Sequence, residues 1–322
     1  MGKFEKNVSL VIPVFNEEES LPELHAWIRR VLDQHALTGE IILIDDGCTD
    51  GSWNIISELS DKDPDVVGIR FTRNYGKSAA LHTGFQQARG EVVITLDADL
   101  QDSPDEIPGL VHMIREEGWQ LVSGWKKRRH DPLEKTIPSR FFNYITRVVS
   151  GIRLHDFNCG LKAYQNQLVK NITVYGELHR YIPMLAKWNG YTRIGERVVE
   201  HHARKYGKTK FGFERYIKGF LDLLSITFMT RFSKNPMHLF GSLGTLSFLS
   251  GFGITAFIIG DKLYRQYHQQ PVRDVVEQPL FFLSLIALLV GVQLFLTGFL
   301  AEMTIQNNPN KSDYLIAEKR NA

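Results

Sequence analysis

The sequence predicts an α/β protein: a doubly wound, mostly parallel sheet followed by a hairpin of two membrane-spanning helices. Three observations carry this prediction. Short apolar runs alternate with helical patterns up to residue 115, which is the order of a parallel sheet. Polar clusters follow the apolar runs, at the ends where open α/β sheets bind ligands. Two uncharged runs of about 22 residues lie towards the C-terminus, and each is long enough to cross a hydrocarbon core.

The predicted elements alternate regularly at first. Strands are expected at 8–14, 41–44, 66–71 and 92–96, where the residues are apolar and often β-branched. Helices are expected at 21–32, 53–59, 79–88 and 107–115, where apolar residues recur at helical spacing. Beyond residue 121 the pattern weakens to a strand at 122–125, a helix at 141–149 and a loop and strand at 156–164. Right-handed crossovers would bring the strand ends to one edge of the sheet.

Composition excludes several classes of protein. The 322 residues include 38 basic and 36 acidic side chains, a net charge of +2, which gives no support for nucleic-acid binding. The two cysteines, Cys48 and Cys159, are far apart, which argues for a reducing compartment or core thiols rather than a disulfide framework or a zinc site. Residues 1–12 lack a long apolar stretch, so no signal peptide is expected.

The two apolar runs predict spans at about 239–260 and 279–301. Lysine and arginine flank the pair on both outer sides, so the positive-inside rule places both ends in the cytoplasm. Ser247, Gly251 and Thr255 form a stripe of small residues that favours close helix packing and association into a homo-oligomer. The predicted domains are 1–210 catalytic, 211–236 amphipathic, 237–302 hairpin and 303–322 tail. The amphipathic segment is read as an interfacial helix, with packing on the globular domain as the alternative.

Asp97, Asp99 and Gln101 follow the fourth predicted strand. Two carboxylates and a carboxamide form a cluster of hard oxygen ligands suited to Mg²⁺ or Mn²⁺, which usually bind through one or two carboxylates and substrate phosphates. The alternative is that this acidic strand end merely caps the next helix. The basic run 126–130 is equally open between a solvated loop and a functional segment.

The other strand ends carry further polar pairs, at 16–17, 45–46 and 73–74. No G-x-G-x-x-G follows the first strand and no phosphate-binding P-loop motif occurs, which disfavours dinucleotide-binding and P-loop proteins. Acidic residues at strand ends instead suit ribose hydroxyls, a base edge and a metal ion.

At this point the sequence resembles the family-2 glycosyltransferases of GT-A fold, and among them the polyprenyl-phosphate glycosyltransferases. The motifs that carry the resemblance are V-I-P-V-F-N-E at 11–17, I-D-D-G-C-T-D at 44–50, R-N-Y-G-K at 73–77, D-A-D-L-Q at 97–101, D-F-N-C-G-L-K at 156–162 and G-K-T-K at 207–210. Cys48 departs from the serine usual in the family. The likeness extends over essentially the whole chain, including the hairpin.

The resemblance implies roles for particular residues. The base and ribose pocket would be lined by Pro13, Glu17 and Asp46. The metal on the diphosphate would be held by Asp97, Asp99 and Gln101, and phosphate of donor or lipid would meet Arg204 and Lys210. The catalytic candidates are Asp99 and Asp156, the latter beside the acceptor as a positioning group first and a base second.

The expected function is that of a membrane-anchored, inverting transferase at the inner membrane, with its catalytic domain in the cytoplasm. The donor would be a nucleotide-diphosphate sugar, a UDP-sugar in preference to GDP-mannose, and the acceptor undecaprenyl phosphate or a similar polyprenyl phosphate. One rival is a processive polysaccharide synthase, which would normally show Q-x-x-R-W and more spans; neither is found here. The other is a non-catalytic membrane scaffold, against which the intact acidic residues argue.

Overall fold

The computed structural model describes residues 4–127, 143–203, 205–206, 228 and 236–306. The chain divides into two compact units, Met1–Thr227 and Phe228–Ala322. Each unit is described by itself.

The N-terminal unit is built on a sheet with seven strands among the described residues, in the order β3-β2-β1-β4-β6-β5-β7. The strands are β1 (Lys6–Val14), β2 (Gly39–Asp45), β3 (Val66–Arg70), β4 (Gly90–Thr95), β5 (Leu121–Trp125), β6 (Lys162–Gln165) and β7 (Ile194–Val198). Strands β1 to β4 pair in parallel, and so do β5 and β7. Only β6 runs antiparallel to both of its neighbours in this sheet.

The helices are α1 (Leu21–Gln34), α2 (Ser52–Lys62), α3 (Lys77–Gln87), α4 (Ile107–Arg115), α5 (143–150 of the described residues), α6 (Asn166–Asn171) and α7 (Ile182–Trp188). Up to residue 115 every predicted strand and helix is present, with ends that differ by a few residues. The short elements α6, α7 and β7 were not predicted, because segments of five to seven residues hold too few apolar positions to show a period.

The sheet has a hydrophobic core on each face. Along β2, Ile41 and Leu43 pack into one core, whereas Ile42 and Ile44 pack into the other. The first core includes the buried faces of α1, α2 and α4, and the second those of α3, α6 and α7. Strands covered on both faces are apolar over most of their length, which explains why they appear in the sequence as nearly continuous apolar runs.

The antiparallel strand β6 brings a second part of the chain to the ligand-binding edge. Its first residue, Lys162, pairs with Thr95 at the end of β4 and with Ser123 in β5. The loop 156–161 therefore arrives beside the carboxyl end of β4, where Asp97 and Asp99 follow.

The C-terminal unit contains two long helices, α8 (Pro236–Tyr267) and α9 (Pro279–Gln306), which pack as an antiparallel hairpin. Glycines let their backbones touch: a Cβ at Gly244, Gly251 or Gly291 would lie 2.6–2.8 Å from backbone atoms of the opposite helix. Ser247 Oγ donates to the carbonyl oxygen of Ala287 at 2.8 Å, and the Thr255 and Ser284 hydroxyls lie 2.8 Å apart. The predicted small-residue stripe is thus used within the hairpin, so it no longer supports the predicted homo-oligomer.

Both helices are long and apolar enough to cross a membrane, over Pro236–Tyr267 and Pro279–Thr304. Only 17% and 11% of their most apolar windows are buried, which is unlike the core helices of a soluble protein. The first helix extends beyond the predicted span into the predicted linker, where Arg265 and Asp261 form an i,i+4 ion pair at 2.8 Å. The predicted amphipathic segment 211–236 lies outside the described residues except at Phe228 and Pro236.

Gly291→Leu should force the hairpin apart, because its side chain would meet the Phe248 amide nitrogen 2.6 Å from the Cβ position. Overpacking of this kind costs about 1–3 kcal/mol. The matched control is Gly253→Leu, since nothing lies within 4 Å of a Cβ at Gly253. We expect the Tm in detergent to fall for Gly291→Leu and not for Gly253→Leu; equal losses would contradict this packing.

Candidate active site

The loops after β1 and β2 are fastened to one another. Asn16 has a left-handed φ of 55°, and its Oδ1 accepts the Thr49 amide hydrogen at 2.8 Å. The Glu17 amide donates to Ser52 Oγ at 3.0 Å, and the Glu17 carboxylate accepts from Ser20 Oγ at 3.3 Å. These bonds fix Glu17 at the edge where the sheet opens.

Pro13 marks the place where β1 separates from β4. The β1–β4 ladder ends at the pair Val11 and Thr95, whereas on its other side β1 continues to pair with β2 through Pro13 and Ile44. A proline is tolerated here because the N–H that it lacks has no partner strand on the β4 side. The half-buried Pro13 therefore lies at the mouth of the crevice between β1 and β4.

Asp46 organises the loop that precedes α3. Its carboxylate accepts the Tyr75 amide at 2.7 Å and the Gly76 amide at 3.0 Å. Burial raises the pKa of Asp46, although these two amides oppose the rise. The predicted contact with ribose stays a prediction; the contacts present are with the backbone that leads to Lys77.

Gly47 allows that loop to approach. Its φ is +72°, and a Cβ there would lie 2.4 Å from backbone atoms of Arg73 and Asn74. A side chain at this position is excluded both by the left-handed conformation and by the contact.

Asp97 is paired with a lysine. The Lys77 ammonium donates to Asp97 Oδ1, and about a third of each side chain is exposed, 34% and 33%. Burial alone would raise the pKa of Asp97, but the positive charge of Lys77, with those of Lys126 and Lys162, lowers it to about 2. The carboxylate is therefore ionised at any physiological pH.

Gly160 forms the wall behind this carboxylate. A Cβ at Gly160 would lie 2.5 Å from Asp97 Oδ2, and Thr95 Oγ1 donates to the Gly160 carbonyl at 2.7 Å. The loop 156–161 thus encloses Asp97 closely.

Asp99 and Gln101 continue the same turn. Leu100 between them has a left-handed φ of 59°, and Asp99 Oδ1 accepts the Gln101 amide at 3.2 Å. The next turn, a 3₁₀ helix at Pro104–Glu106, is capped by Ser103, whose Oγ accepts the Asp105 amide at 3.3 Å. Since the Ser103 side chain supplies the cap, the alternative that the acidic strand end merely caps the next helix is not supported.

Lys126 belongs to the interior of the site. Its ammonium lies 2.6 Å from Oδ1 of the fully buried Asp102, and 13% of its side chain is exposed. Burial would lower its pKa, but the charge of Asp102 raises the pKa well above the usual value. The reading of a solvated loop is therefore wrong for Lys126 and holds for the exposed Lys127; residues 128–130 lie outside the described ranges.

Asp156 is buried beside β5, with 1% exposed. Its Oδ1 accepts the Asn158 amide at 3.0 Å, and its carbonyl accepts from Ser123 Oγ at 3.2 Å. Lys162, 3% exposed, donates to the Cys159 carbonyl. Burial lowers the pKa of Lys162, while the charges of Asp156 and Asp97 act to raise it. Lys162 thus interacts electrostatically with both carboxylates.

His179 was not predicted to belong to this region. Ser78 Oγ accepts the His179 backbone N–H at 3.1 Å and also lies within hydrogen-bond distance of His179 Nδ1, at 3.0 Å. Burial, together with the charges of Lys77 and Arg180, lowers the pKa of His179 well below its usual value. A neutral ring that accepts at Nδ1 carries its proton on Nε2.

Sequence reasoning quoted Lys77, Gly160 and Lys162 as parts of motifs but gave them no role. Their roles depend on which residues lie against Asp97. Gly160 and Lys162 are brought there by the antiparallel entry of β6, and Lys77 reaches Asp97 from the first turn of α3. His179 lies in no motif with a recognisable spacing. Arg204 and Lys210, predicted to meet phosphate, lie outside the described residues.

The two cysteines are free and buried. Burial raises the pKa of each thiol to about 12. They therefore behave as the core thiols that the sequence predicted, and Cys159 packs in the first hydrophobic core.

The residues fit a divalent cation that is shared with a ligand. Among the described residues, no three His, Cys, Asp or Glu side chains come together as a closed metal site. Mg²⁺ and Mn²⁺ nevertheless bind to such a set of oxygen donors. The protein would supply the carboxylates of Asp97 and Asp99 and the amide oxygen of Gln101, and phosphates and water would fill the remaining positions. A cation, the Lys77 ammonium, already contacts Asp97.

Comparison with known proteins identifies the class. Residues 9–173 match the family model for glycosyl transferase family 2, and the chain belongs to this family. It is 36% identical over 305 residues to dodecaprenyl-phosphate galacturonate synthase of Rhizobium johnstonii, which covers 92% of this chain and 87% of that protein. It is 38% identical to undecaprenyl-phosphate 4-deoxy-4-formamido-L-arabinose transferase of Shewanella sediminis, over 92% of this chain and 86% of that one.

Solved structures share the fold. Glucosyl-3-phosphoglycerate synthase of Mycobacterium tuberculosis, in complex with phosphoglyceric acid, aligns over 70% of this chain and 80% of its own with a TM-score of 0.53 and 20% identity. The same enzyme in complex with Mn²⁺, UDP and phosphoglyceric acid aligns with a TM-score of 0.52 and 18% identity, over 70% and 78%. The predicted GT-A fold and glycosyltransferase class are confirmed.

Gly160→Ala should impair glycosyl transfer without unfolding the protein, because the new methyl group would displace the Asp97 carboxylate. We expect kcat/KM to fall by about tenfold or more, the equivalent of about 1.4 kcal/mol. The control is Gly109→Ala on α4, whose Cβ would meet only the guanidinium end of Arg197. Activity and circular dichroism would be measured for both; an active Gly160→Ala enzyme would contradict the tight enclosure of Asp97.

Proposed function

We propose that this glycosyltransferase moves one sugar from a nucleotide-diphosphate donor to a polyprenyl phosphate, with inversion at the anomeric carbon. The observation that carries the proposal is the extent of the likeness to two polyprenyl-phosphate enzymes. Each alignment covers 92% of the chain, so it takes in most of the apolar hairpin as well as the catalytic unit. An enzyme that acts on a soluble acceptor does not need a membrane-spanning hairpin, whereas one that acts on a lipid phosphate must reach the bilayer surface.

The donor is bound at the carboxyl edge of the sheet. Pro13 and Glu17 line the base and ribose side, and Asp46 supports the loop beside them. Asp97, Asp99 and Gln101 hold Mg²⁺ or Mn²⁺, which supplies positive charge to the leaving diphosphate. Arg204 and Lys210 meet phosphate of the donor or the lipid. A UDP-sugar is favoured over GDP-mannose, in keeping with the UDP complexes among the structures of like fold.

The acceptor needs orientation more than deprotonation. A phosphate monoester has its second pKa at about 6, so it is already largely dianionic at neutral pH. Asp156 lies on the loop that also carries Gly160, and its Oδ1 is held by the Asn158 amide. We assign it the positioning of the acceptor. The buried Lys162 contributes to the lowered pKa of Asp97.

The hairpin keeps the enzyme at a bilayer, where a polyprenyl phosphate presents its headgroup. The distribution of lysine and arginine supports a multi-pass protein of the inner membrane with a cytoplasmic catalytic unit. The rival of a processive synthase lacks support, since the sequence has no Q-x-x-R-W motif.

The test is a donor and acceptor panel with the full chain in detergent. UDP- and GDP-sugars would be combined with undecaprenyl phosphate, and with phosphoglycerate as a soluble acceptor. We expect one donor to give a lipid-linked product that EDTA abolishes and Mn²⁺ or Mg²⁺ restores. Transfer only to phosphoglycerate, or no transfer despite nucleotide binding, would refute the proposal.

The variant Asp99→Asn tests whether the protein is a catalytic transferase or a non-catalytic membrane scaffold. Loss of one charged group at the diphosphate should reduce transfer by about 10²-fold or more. The protein should stay folded, because the described bond of Asp99 Oδ1 to the Gln101 amide survives in asparagine. Unchanged lipid glycosylation would favour the non-catalytic scaffold.

Asp156→Asn distinguishes a positioning group from a base. If Asp156 orients the acceptor, the variant should lose rate at every pH while the shape of its pH–rate profile stays that of the wild type. If Asp156 is the base, the acidic limb of the profile should disappear and the loss should reach about 10²–10⁴-fold.

A further inference from the structure

The Lys77 ammonium contacts the carboxylate that the proposed function assigns to a divalent cation. We infer that Lys77 is the resident counter-ion of Asp97 in the ligand-free enzyme, and that it gives up this carboxylate to the metal and turns to the donor diphosphate. The inference rests on the proposed metal–nucleotide site, and it specifies which cation neutralises Asp97 before metal and donor bind.

Hydrogen bonds hold the backbone on both sides of Lys77. Lys77 is the first residue of α3, and Gly76 before it has a φ of +92°. The Asp46 carboxylate holds the Gly76 amide, and Ser78 after it is bonded to His179. The four-carbon stem of lysine is flexible and its ammonium is a compact point charge. It can therefore change partners without moving α3.

The other two lysines that lower the pKa of Asp97 are committed elsewhere. Lys126 is ion-paired with the buried Asp102 and is 13% exposed. Lys162 donates to the Cys159 carbonyl and is 3% exposed. Lys77 combines direct contact with Asp97 and 34% exposure. Of these three cations, it is the one that solvent and ligands can reach.

Charge favours the exchange. A divalent cation and the Lys77 ammonium would compete for the Asp97 carboxylate, because like charges a few ångströms apart repel one another. When Lys77 leaves Asp97, the stabilising energy of their ion pair is lost. The ammonium regains a comparable interaction only if another anion is near, and the diphosphate of the donor is such an anion. Metal and nucleotide should therefore bind with positive coupling, and by linkage each should raise the affinity of the other by the same factor.

The experiment measures Mn²⁺ binding by the full chain in detergent, by EPR of free Mn²⁺, with and without UDP. The variants are Lys77→Met, which removes the charge, and Lys77→Arg, which keeps it. The control is Lys62→Met, which removes the same charge at the exposed end of α2, where Lys62 is 74% exposed. Thermal unfolding of each variant shows that it is folded.

Without UDP, we expect Lys77→Met to bind Mn²⁺ about tenfold more tightly than the wild type, about 1.4 kcal/mol. Lys77→Arg and Lys62→Met should resemble the wild type. With UDP, the factor by which nucleotide tightens Mn²⁺ should shrink in Lys77→Met. Adding Asp97→Asn to Lys77→Met should abolish the gained affinity, which locates the ion.

Unchanged or weaker Mn²⁺ binding by folded Lys77→Met without UDP, in an enzyme that binds Mn²⁺ with UDP, would overturn this inference and leave the proposed function standing. If neither the wild type nor any variant binds Mn²⁺ even with UDP, the proposed metal site fails, and the inference fails with it.

Discussion

The close packing of the loop 156–161 against the Asp97 carboxylate is the constraint on which the site depends. Gly160 leaves no room for a side chain, and Thr95 ties its carbonyl to β4. This contact exists because β6 enters the sheet antiparallel to β4, beginning where β4 ends. A parallel β6 would begin at the opposite edge, and Asp156 would then lie far from the acidic turn. The strand direction therefore brings the loop that carries Asp156 to the edge of the sheet where Asp97 lies.

The same contact brings several charged side chains close together, and most of these charges are paired with one of opposite sign. Asp97, Asp102 and Asp156 are opposed by Lys77, Lys126 and Lys162, so that the cluster is close to neutral. Buried charges are costly unless they are paired, and removal of one partner costs more than the pair contributes. Within this group the pairs differ in accessibility. The Asp102–Lys126 pair is enclosed and structural, whereas the Asp97–Lys77 pair is a third exposed and can be rearranged by a ligand.

The regular part of this architecture could be predicted from the sequence. Strands buried on both faces appear as continuous apolar runs, and polar residues at their ends mark the ligand edge. The later part could not, because α6, α7 and β7 are short and the direction of β6 depends on tertiary pairing. The acidic members of the candidate site were identified from their motifs. Lys77, Lys162 and Gly160 matter through what they contact, and no spacing in the sequence indicates that Gly160 lies against Asp97 or that Lys126 is buried on Asp102.

A bilayer-anchored acceptor accounts for the kind of machinery that the site contains. A lipid phosphate arrives already ionised, so the difficult requirement is to hold two anionic reactants together and to stabilise the departing diphosphate. Cations and fixed carboxylates serve that need better than a strong base, and this is the composition observed around Asp97 and Asp156. Restriction of both enzyme and acceptor to one surface raises their effective concentration, as a linker does between two binding sites. Under the proposed function, the hairpin, with its glycine-mediated packing, would contribute to recognition of the acceptor by keeping the enzyme at the bilayer.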